Sequence, residues 1–144
     1  MHASSPLNAV EWWFEHRVSY GETDAMGYLY YAEYLHLFER ARGAFIRSRG
    51  MSYADIEQHG IMLPVREARC RYRSPARYDD MLRIRVIISE LGRASLTFMY
   101  DVYAAEGKTL HAAGMTQHAC IDAVGRRPVA MPGWLNNLLS EQKT

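Results

Sequence analysis

The chain has 144 residues, of which 49% are hydrophobic and 23% are charged, which is typical of one globular domain with a single core. A formal net charge of +1 argues against nucleic-acid binding through bulk charge, and two cysteines are too few for a disulfide framework or a four-cysteine zinc site. Because no apolar run approaches the ~20 residues of a membrane span and the start has no secretory signal pattern, we expect a cytoplasmic protein.

The first part of the chain predicts an extended segment followed by a long helix. Residues 1–11 predict a loose terminus, and the alternating stretch from Trp12 to Tyr20 predicts the first strand. Apolar residues then recur at three- and four-residue steps and predict a helix from about Tyr31 to Arg49. This apolar stripe consists of Tyr31, Tyr34, Leu35, Phe38, Ala41 and Phe45.

An acidic turn, bracketed by Gly21 and Gly27, separates the strand from the helix. Asp24 inside this turn has two possible roles. Its carboxylate can hydrogen-bond the turn itself, as aspartate often does. It can also act on a carbonyl group placed at the helix start, where free N–H groups and the helix dipole polarise an oxygen atom. The local pattern leaves both interpretations open.

The remainder of the chain predicts a short helix and four strands, joined mostly by short turns. The short helix runs from Ser52 to Gly60, and alternating segments predict strands near residues 67–73, 82–88, 94–105 and 110–122. A short terminal helix is expected near residues 133–139. Short turns favour antiparallel neighbours, and only the long helix is large enough to cover the apolar face of the sheet. We therefore expect a single α+β domain over residues 1–144.

The stretch from Val18 to Arg42 resembles the opening signature of the hot-dog-fold acyl-CoA thioesterases of the 4-hydroxybenzoyl-CoA thioesterase subfamily. That signature is an extended V-x-Y/F, a D-T-D-like turn, a glycine, an aromatic pair and a helix reading Y-x-x-Y-x-x-x-F/W-E-x-x-R. Asp24 matches its catalytic aspartate, and Gly27 matches its glycine. Tyr31 matches the residue whose backbone N–H faces the thioester carbonyl, whereas Glu22 replaces the more frequent aspartate.

This resemblance extends over roughly residues 12 to 134 and implies the hot-dog fold, a five-stranded antiparallel sheet wrapped around one long central helix. It also implies hydrolysis of an acyl-CoA to a carboxylic acid and CoA, a reaction that needs no metal or redox cofactor. The subfamily forms dimers with active sites at the subunit boundary, often paired into tetramers, so we expect a homodimer or homotetramer.

Substrate contacts follow from the same hypothesis. We expect the acyl group to enter an apolar slot near the helix, lined by Tyr28, Tyr34 and Phe38, with Gly27 at the turn. Arg93, in the hairpin that Gly92 predicts, is the candidate for the phosphates of CoA. The arginines from Arg66 to Arg73, with Arg77, could instead contact those phosphates, a partner subunit or solvent.

Several alternatives remain at this stage. Glu39, three residues before Arg42 on the helix, is a rival catalytic carboxylate, although its position favours a structural partner of Arg42 or a group that supports the site without touching the substrate. A non-catalytic module that binds acyl-CoA or acyl carrier protein on the same fold is the alternative function. Motifs of serine hydrolases, zinc hydrolases and nucleoside triphosphatases are missing from the sequence, and the six histidines show no metal-ligand spacing.

Overall fold

The computed structural model describes residues 10–140. Three α-helices, one short 3-10 helix and seven strands lie in that part of the chain. The helices are α1 Glu33–Ser48, α2 Tyr53–Gln58 and α3 Gly133–Ser140. The strands are β1 Glu11–Arg17, β2 Ile61–Met62, β3 Val65–Tyr72, β4 Met81–Leu91, β5 Ser95–Ala104, β6 Leu110–Ala119 and β7 Ile121–Asp122.

Five of these strands form one antiparallel sheet in the order β1-β4-β5-β6-β3, so that β1 and β3 are its edges. The short strands β2 and β7 pair separately as a two-stranded ribbon, which the sequence did not predict. Short hairpins connect β4 to β5 and β5 to β6, as the turn residues indicated. The predicted five-stranded antiparallel sheet is confirmed.

The core lies between α1 and the inner face of the sheet. Alternate residues of β4 and β5 point inward and are buried, which is why these strands show a two-residue apolar period: Leu82, Ile84, Val86, Leu96, Phe98, Tyr100 and Val102. On the helix, the ring of Phe38 stacks on Tyr100 with centroids 4.2 Å apart. A Cβ atom on Gly114 would lie 2.5 Å from Phe38 and 2.5 Å from the backbone oxygen of Arg69, so only glycine fits there.

The predicted boundaries of the first strand and the long helix are wrong by a few residues. β1 ends at Arg17, because Tyr20 to Glu22 form a 3-10 turn in which the Thr23 N–H donates to the Tyr20 carbonyl at 3.1 Å. The helix α1 begins at Glu33 and not at Tyr31, because the chain first turns, with the Glu33 N–H donating to the Tyr30 carbonyl at 2.9 Å.

The predicted loose terminus falls mostly outside the described residues. Its last two positions are an exception, because Val10 is buried and Glu11 begins β1 opposite Ile87. The prediction is therefore wrong for these two residues. None of the helices within residues 10–140 is long and apolar enough to cross a membrane.

The sheet has two ends that organise the possible sites. The Tyr72 end contains the last residue of β3, the start of β4 at Met81 and the acidic turn. Tyr28 of the acidic turn forms an antiparallel bridge with Arg77 there. At the opposite end, the Arg93 end, lie the β4–β5 hairpin and Val65 at the start of β3. The eleven residues of β4 connect the two ends, a span of about 35 Å.

Candidate active site

The acidic turn is a tight loop that returns on itself. The backbone N–H of Asp24 donates to the Tyr28 carbonyl at 2.8 Å, and the Gly27 N–H donates to the Asp24 carbonyl at 2.9 Å. Gly27 has a φ of +80°, a left-handed conformation that other residues adopt only with strain. Thr23 and Leu29 close the loop as an isolated antiparallel bridge. The turn therefore needs the glycine that the sequence places there.

The carboxylate of Asp24 uses one oxygen to hold this turn. Its Oδ1 accepts hydrogen bonds from the backbone N–H groups of Met26 at 2.9 Å and Tyr28 at 3.1 Å. Its Oδ2 accepts no hydrogen bond from any residue between 10 and 140. The two interpretations of Asp24 are thus compatible, because one oxygen stabilises the turn while the other remains available to a ligand.

The start of α1 lacks the usual side-chain cap. Its N-cap residue is Ala32, whose side chain has no oxygen to accept a hydrogen bond from the first turn. The Tyr31 N–H likewise has no acceptor within the described part of the chain, whereas the Tyr31 carbonyl accepts from the Tyr34 N–H at 3.3 Å and from the Tyr72 hydroxyl at 3.1 Å. An unpaired N–H at the positive end of a helix is a suitable donor for a carbonyl oxygen.

Tyrosine rings surround this helix start and leave it open to solvent. Tyr31 is 59% exposed, and its ring contacts those of Tyr30 and Tyr72 at centroid distances of 4.8 and 6.2 Å. The pKa of Tyr30 is raised, first by a hydrogen bond with the Tyr31 side chain and also by the charge of Asp24. The charge of Asp24 therefore makes a small contribution to the raised pKa of the Tyr30 phenol.

The other residues predicted near the acyl group lie at different depths. Tyr28 is half-buried, and the guanidinium of Arg77 lies over its ring, 5.1 Å from the ring centroid. Tyr34 is buried, and its ring packs edge-on against that of Tyr72 with centroids 5.3 Å apart. Its pKa is raised to about 12, mainly by burial and further by the charge of Cys70. Phe38 is 0% exposed, so none of its ring is open to a substrate in this conformation.

Arg93 lies far from this site within one chain. It is exposed in the β4–β5 hairpin, which the Gly92 N–H closes by donating to the Ser95 carbonyl at 2.9 Å. The Arg93 carbonyl also accepts from the Met131 N–H at 2.7 Å, which ties the hairpin to the segment before α3. The hairpin lies at the Arg93 end of the sheet, whereas Asp24 lies at the Tyr72 end. The Arg93 side chain and Asp24 therefore do not meet within a single chain.

Sequence reasoning did not identify the buried contacts of Glu22. Its carboxylate accepts hydrogen bonds from His16 Nε2 at 2.8 and 3.0 Å and from the Ser19 N–H at 2.8 Å. Arg40 Nη1 lies 3.5 Å from the same carboxylate and 3.4 Å from His16 Nδ1. The inward position of His16 in the alternating first strand was the available signal, because a buried histidine needs a polar partner.

The predicted pairing of Glu39 with Arg42 is not observed. Glu39 is exposed and lies 3.7 Å from His36, whereas Arg42 points to the core and donates to the Tyr100 hydroxyl at 3.5 Å. Residues three apart lie on one side of a helix, so the helix geometry does not separate them. The Arg42 side chain turns inward to the Tyr100 hydroxyl, whereas the Glu39 side chain stays exposed. Among the described residues, no group of three His, Cys, Asp or Glu side chains could hold a metal ion.

Comparisons with known proteins show the family to which this chain belongs. The family model described as the thioesterase-like superfamily matches residues 18–139. The acyl-CoA thioester hydrolase YbgC of Escherichia coli O157:H7 is 34% identical over 116 residues, which cover 81% of this chain and 86% of that protein. A putative esterase of Aquifex aeolicus is 35% identical over 103 residues, covering 68% of this chain and 80% of that protein.

The solved structures include a DHNA-CoA thioesterase from Staphylococcus aureus, with a TM-score of 0.80 and 28% identity over 88% of this chain and 87% of that one. The chain belongs to the thioesterase-like superfamily. It is a thioesterase with the hot-dog fold, which confirms the predicted fold family and enzyme class.

Proposed function

We propose that this thioesterase hydrolyses acyl-CoA, with Asp24 acting on a thioester carbonyl held by the backbone N–H of Tyr31. One observation carries the proposal. Two hydrogen bonds to Oδ1 hold Asp24 while Oδ2 is left without a partner, in a turn that leads directly to an uncapped helix start. The acyl-CoA substrate is also supported by the name of the Escherichia coli relative. Loss of acyl-CoA turnover when Asp24 loses its charge is the test.

Two chemical routes use the same groups. In the first, the Asp24 carboxylate attacks the carbonyl carbon, CoA leaves as the thiolate, and water then hydrolyses the mixed anhydride. In the second, Asp24 removes a proton from water, the hydroxide attacks the carbonyl carbon, and the departing thiolate takes up a proton. Both routes consume one water and place negative charge on the carbonyl oxygen, which the Tyr31 N–H and the helix dipole stabilise.

The residues that we expect to bind substrate differ in their exposure to solvent. Gly27 and Tyr28 are on the turn, where an acyl or pantetheine group can approach the exposed loop. Tyr34 and Phe38 are buried on α1, so neither offers open surface to an acyl group in this conformation. The cytoplasmic location and the use of acyl carrier protein in place of CoA stay predictions.

The edge strand β3 offers a route to a shared site. Its outer edge has no neighbouring strand within the described residues, six of its eight residues are exposed, and a free edge invites pairing with another chain. If two copies pair antiparallel along β3, the Tyr72 end of one lies beside the Val65 end of the other. The Arg93 hairpin of the second copy is then about three strand spacings, ~14 Å, from the edge of the first copy's site.

A dimer or tetramer is therefore expected in solution, measured by light scattering at micromolar concentration. Mixing two site variants, one without the Asp24 charge and one without the Arg93 side chain, tests the shared site directly. In a mixed dimer of Asp24→Asn and Arg93→Ala, one site combines an intact Asp24 with an intact Arg93 from the other copy. We expect the mixture to recover a low-KM component that neither variant shows alone. A strictly monomeric, fully active protein would contradict the arrangement.

Arg93→Ala should raise KM for acyl-CoA several-fold with little change in kcat, because phosphate contacts are made equally before and during the reaction. The effect should weaken with added salt, since the contact is between charges. An acyl-pantetheine substrate, which lacks the nucleotide, should show no such change. Arg126→Ala, an exposed arginine outside the hairpin, is the control. Equal kinetics of wild type with the two substrates would count against a nucleotide site and would favour an acyl-carrier-protein substrate.

A further inference from the structure

Glu22 is a buried carboxylate two residues before Asp24. Its side chain is 10% exposed, and that of His16, which contacts it, is 15% exposed. Burial alone would raise the pKa of Glu22, but hydrogen bonds from the Ser19 N–H and from His16, with the charge of His16, lower it below the usual value. Glu22 is therefore ionised at neutral pH, and its charge is held inside the protein by groups from three segments.

These contacts connect the elements on both sides of the candidate site. His16 belongs to β1, Ser19 to the chain that leaves it, and Arg40 to α1. The main chain of Glu22 adds a fourth contact, because its carbonyl accepts from the Tyr30 N–H at 2.8 Å. Tyr30 immediately precedes Tyr31. Glu22 is therefore bonded to the strand, to the helix and to the segment that contains the proposed carbonyl-binding N–H.

We propose that Glu22 is a positioning residue, which holds the Asp24 turn in register with the Tyr31 N–H through its bonds to His16, Ser19 and Tyr30. This proposal rests on the proposed roles of Asp24 and Tyr31. Glu22 does not contact the substrate. It acts through the main chain, and errors of about 1 Å in the relative position of reacting groups can cost up to ~100-fold in rate.

The variant Glu22→Gln tests this role, because it keeps the length of the side chain and removes the charge that His16 and Arg40 face. We expect kcat to fall by about 10-fold or more with a smaller change in KM, since a displaced catalytic group affects the transition state more than substrate binding. Glu22→Asp, which keeps the charge, should retain more of kcat than Glu22→Gln.

Amide hydrogen exchange provides a readout that does not depend on catalysis. In Glu22→Gln, the segment from Thr23 to Tyr31 should exchange faster, whereas β4 and β5 should keep the wild-type rates. Glu15→Gln, an exposed carboxylate on the same strand as His16, is the matched control and should change neither quantity. Ile56→Val in α2 should lower stability by a cavity effect and leave kcat unchanged, which separates positioning from general destabilisation.

The outcomes are distinct. A fall in kcat together with faster exchange of the turn supports the proposal. An unchanged kcat overturns it, and so does a lower kcat with unchanged exchange, because the turn would then not be what Glu22 holds. If Asp24→Asn is inactive while Glu22→Gln is fully active, only the positioning role fails. If Asp24→Asn is itself fully active, the proposed function fails, whatever the result for Glu22.

Discussion

Replacing Asp24 with asparagine should lower thioester turnover by at least ~100-fold, the usual scale for loss of a general base or nucleophile. Asparagine has the same shape, and its amide oxygen can still accept the hydrogen bonds that Met26 and Tyr28 donate to Oδ1. The change therefore removes the negative charge at Oδ2 while the turn is retained. We expect little change in the melting temperature, measured beside the steady-state rate on several acyl-CoA thioesters.

Glu39→Gln is the matched control for this experiment, because Glu39 is the rival carboxylate. It is exposed, and its contact with His36 at 3.7 Å is a weak surface pair. We expect this variant to keep near-normal turnover. The assignment of the catalytic carboxylate is wrong if Asp24→Asn keeps its activity and Glu39→Gln loses it.

Gly114→Ala should destabilise the protein by about 2–3 kcal/mol, in the upper part of the range for overpacking a core. The added Cβ would lie 2.5 Å from the backbone oxygen of Arg69 and 2.5 and 2.8 Å from two atoms of Phe38. The Arg69 carbonyl belongs to β3, which is paired with β6 at this point, and Phe38 is stacked on Tyr100. Neither neighbour can move without loss of other contacts. Thermal unfolding should show a fall in melting temperature of about 5–10 °C.

Gly133→Ala provides the comparison for glycine replacement in general. Gly133 is the first residue of α3, and a Cβ there would meet nothing within 4 Å. Alanine should leave the melting temperature unchanged or raise it slightly, because it favours helix more than glycine does. Equal melting temperatures for the two variants would mean that the sheet and α1 can separate at Gly114 without cost.

Local periodicity was sufficient to predict most of the architecture. Burial on one face imposes the two-residue alternation of Leu82, Ile84 and Val86, and all three are buried. The predicted helix stripe is right only in part: Tyr34, Phe38, Ala41 and Phe45 are buried, whereas Tyr31 and Leu35 are exposed. The same reasoning predicted short hairpins and hence an antiparallel sheet. The errors fall at the ends of elements, where a few hydrogen bonds decide the boundary.

The candidate site was predictable only in part. The order of residues around Asp24 and Gly27 pointed to the turn, and the resemblance to a thioesterase signature selected the carboxylate. The pattern could not show that Asp24 uses one oxygen for the turn and leaves the other free, because that division depends on the folded loop. The apolar pattern also placed the start of the helix too early, at Tyr31. The hydrogen bond from the Tyr30 N–H to the Glu22 carbonyl holds this segment outside the helix, and it forms only after the turn has closed.

The sequence by itself determined the elements, the turn and the residue types available for chemistry, because each depends on neighbours a few positions away. Only the tertiary structure decided how distant segments meet. The eleven residues of β4 and its antiparallel pairing with β5 place the Arg93 hairpin at the end of the sheet opposite Asp24. Folding also buries Glu22 between His16 of β1 and Arg40 of α1, since a carboxylate removed from water must find donors wherever the packed chain supplies them.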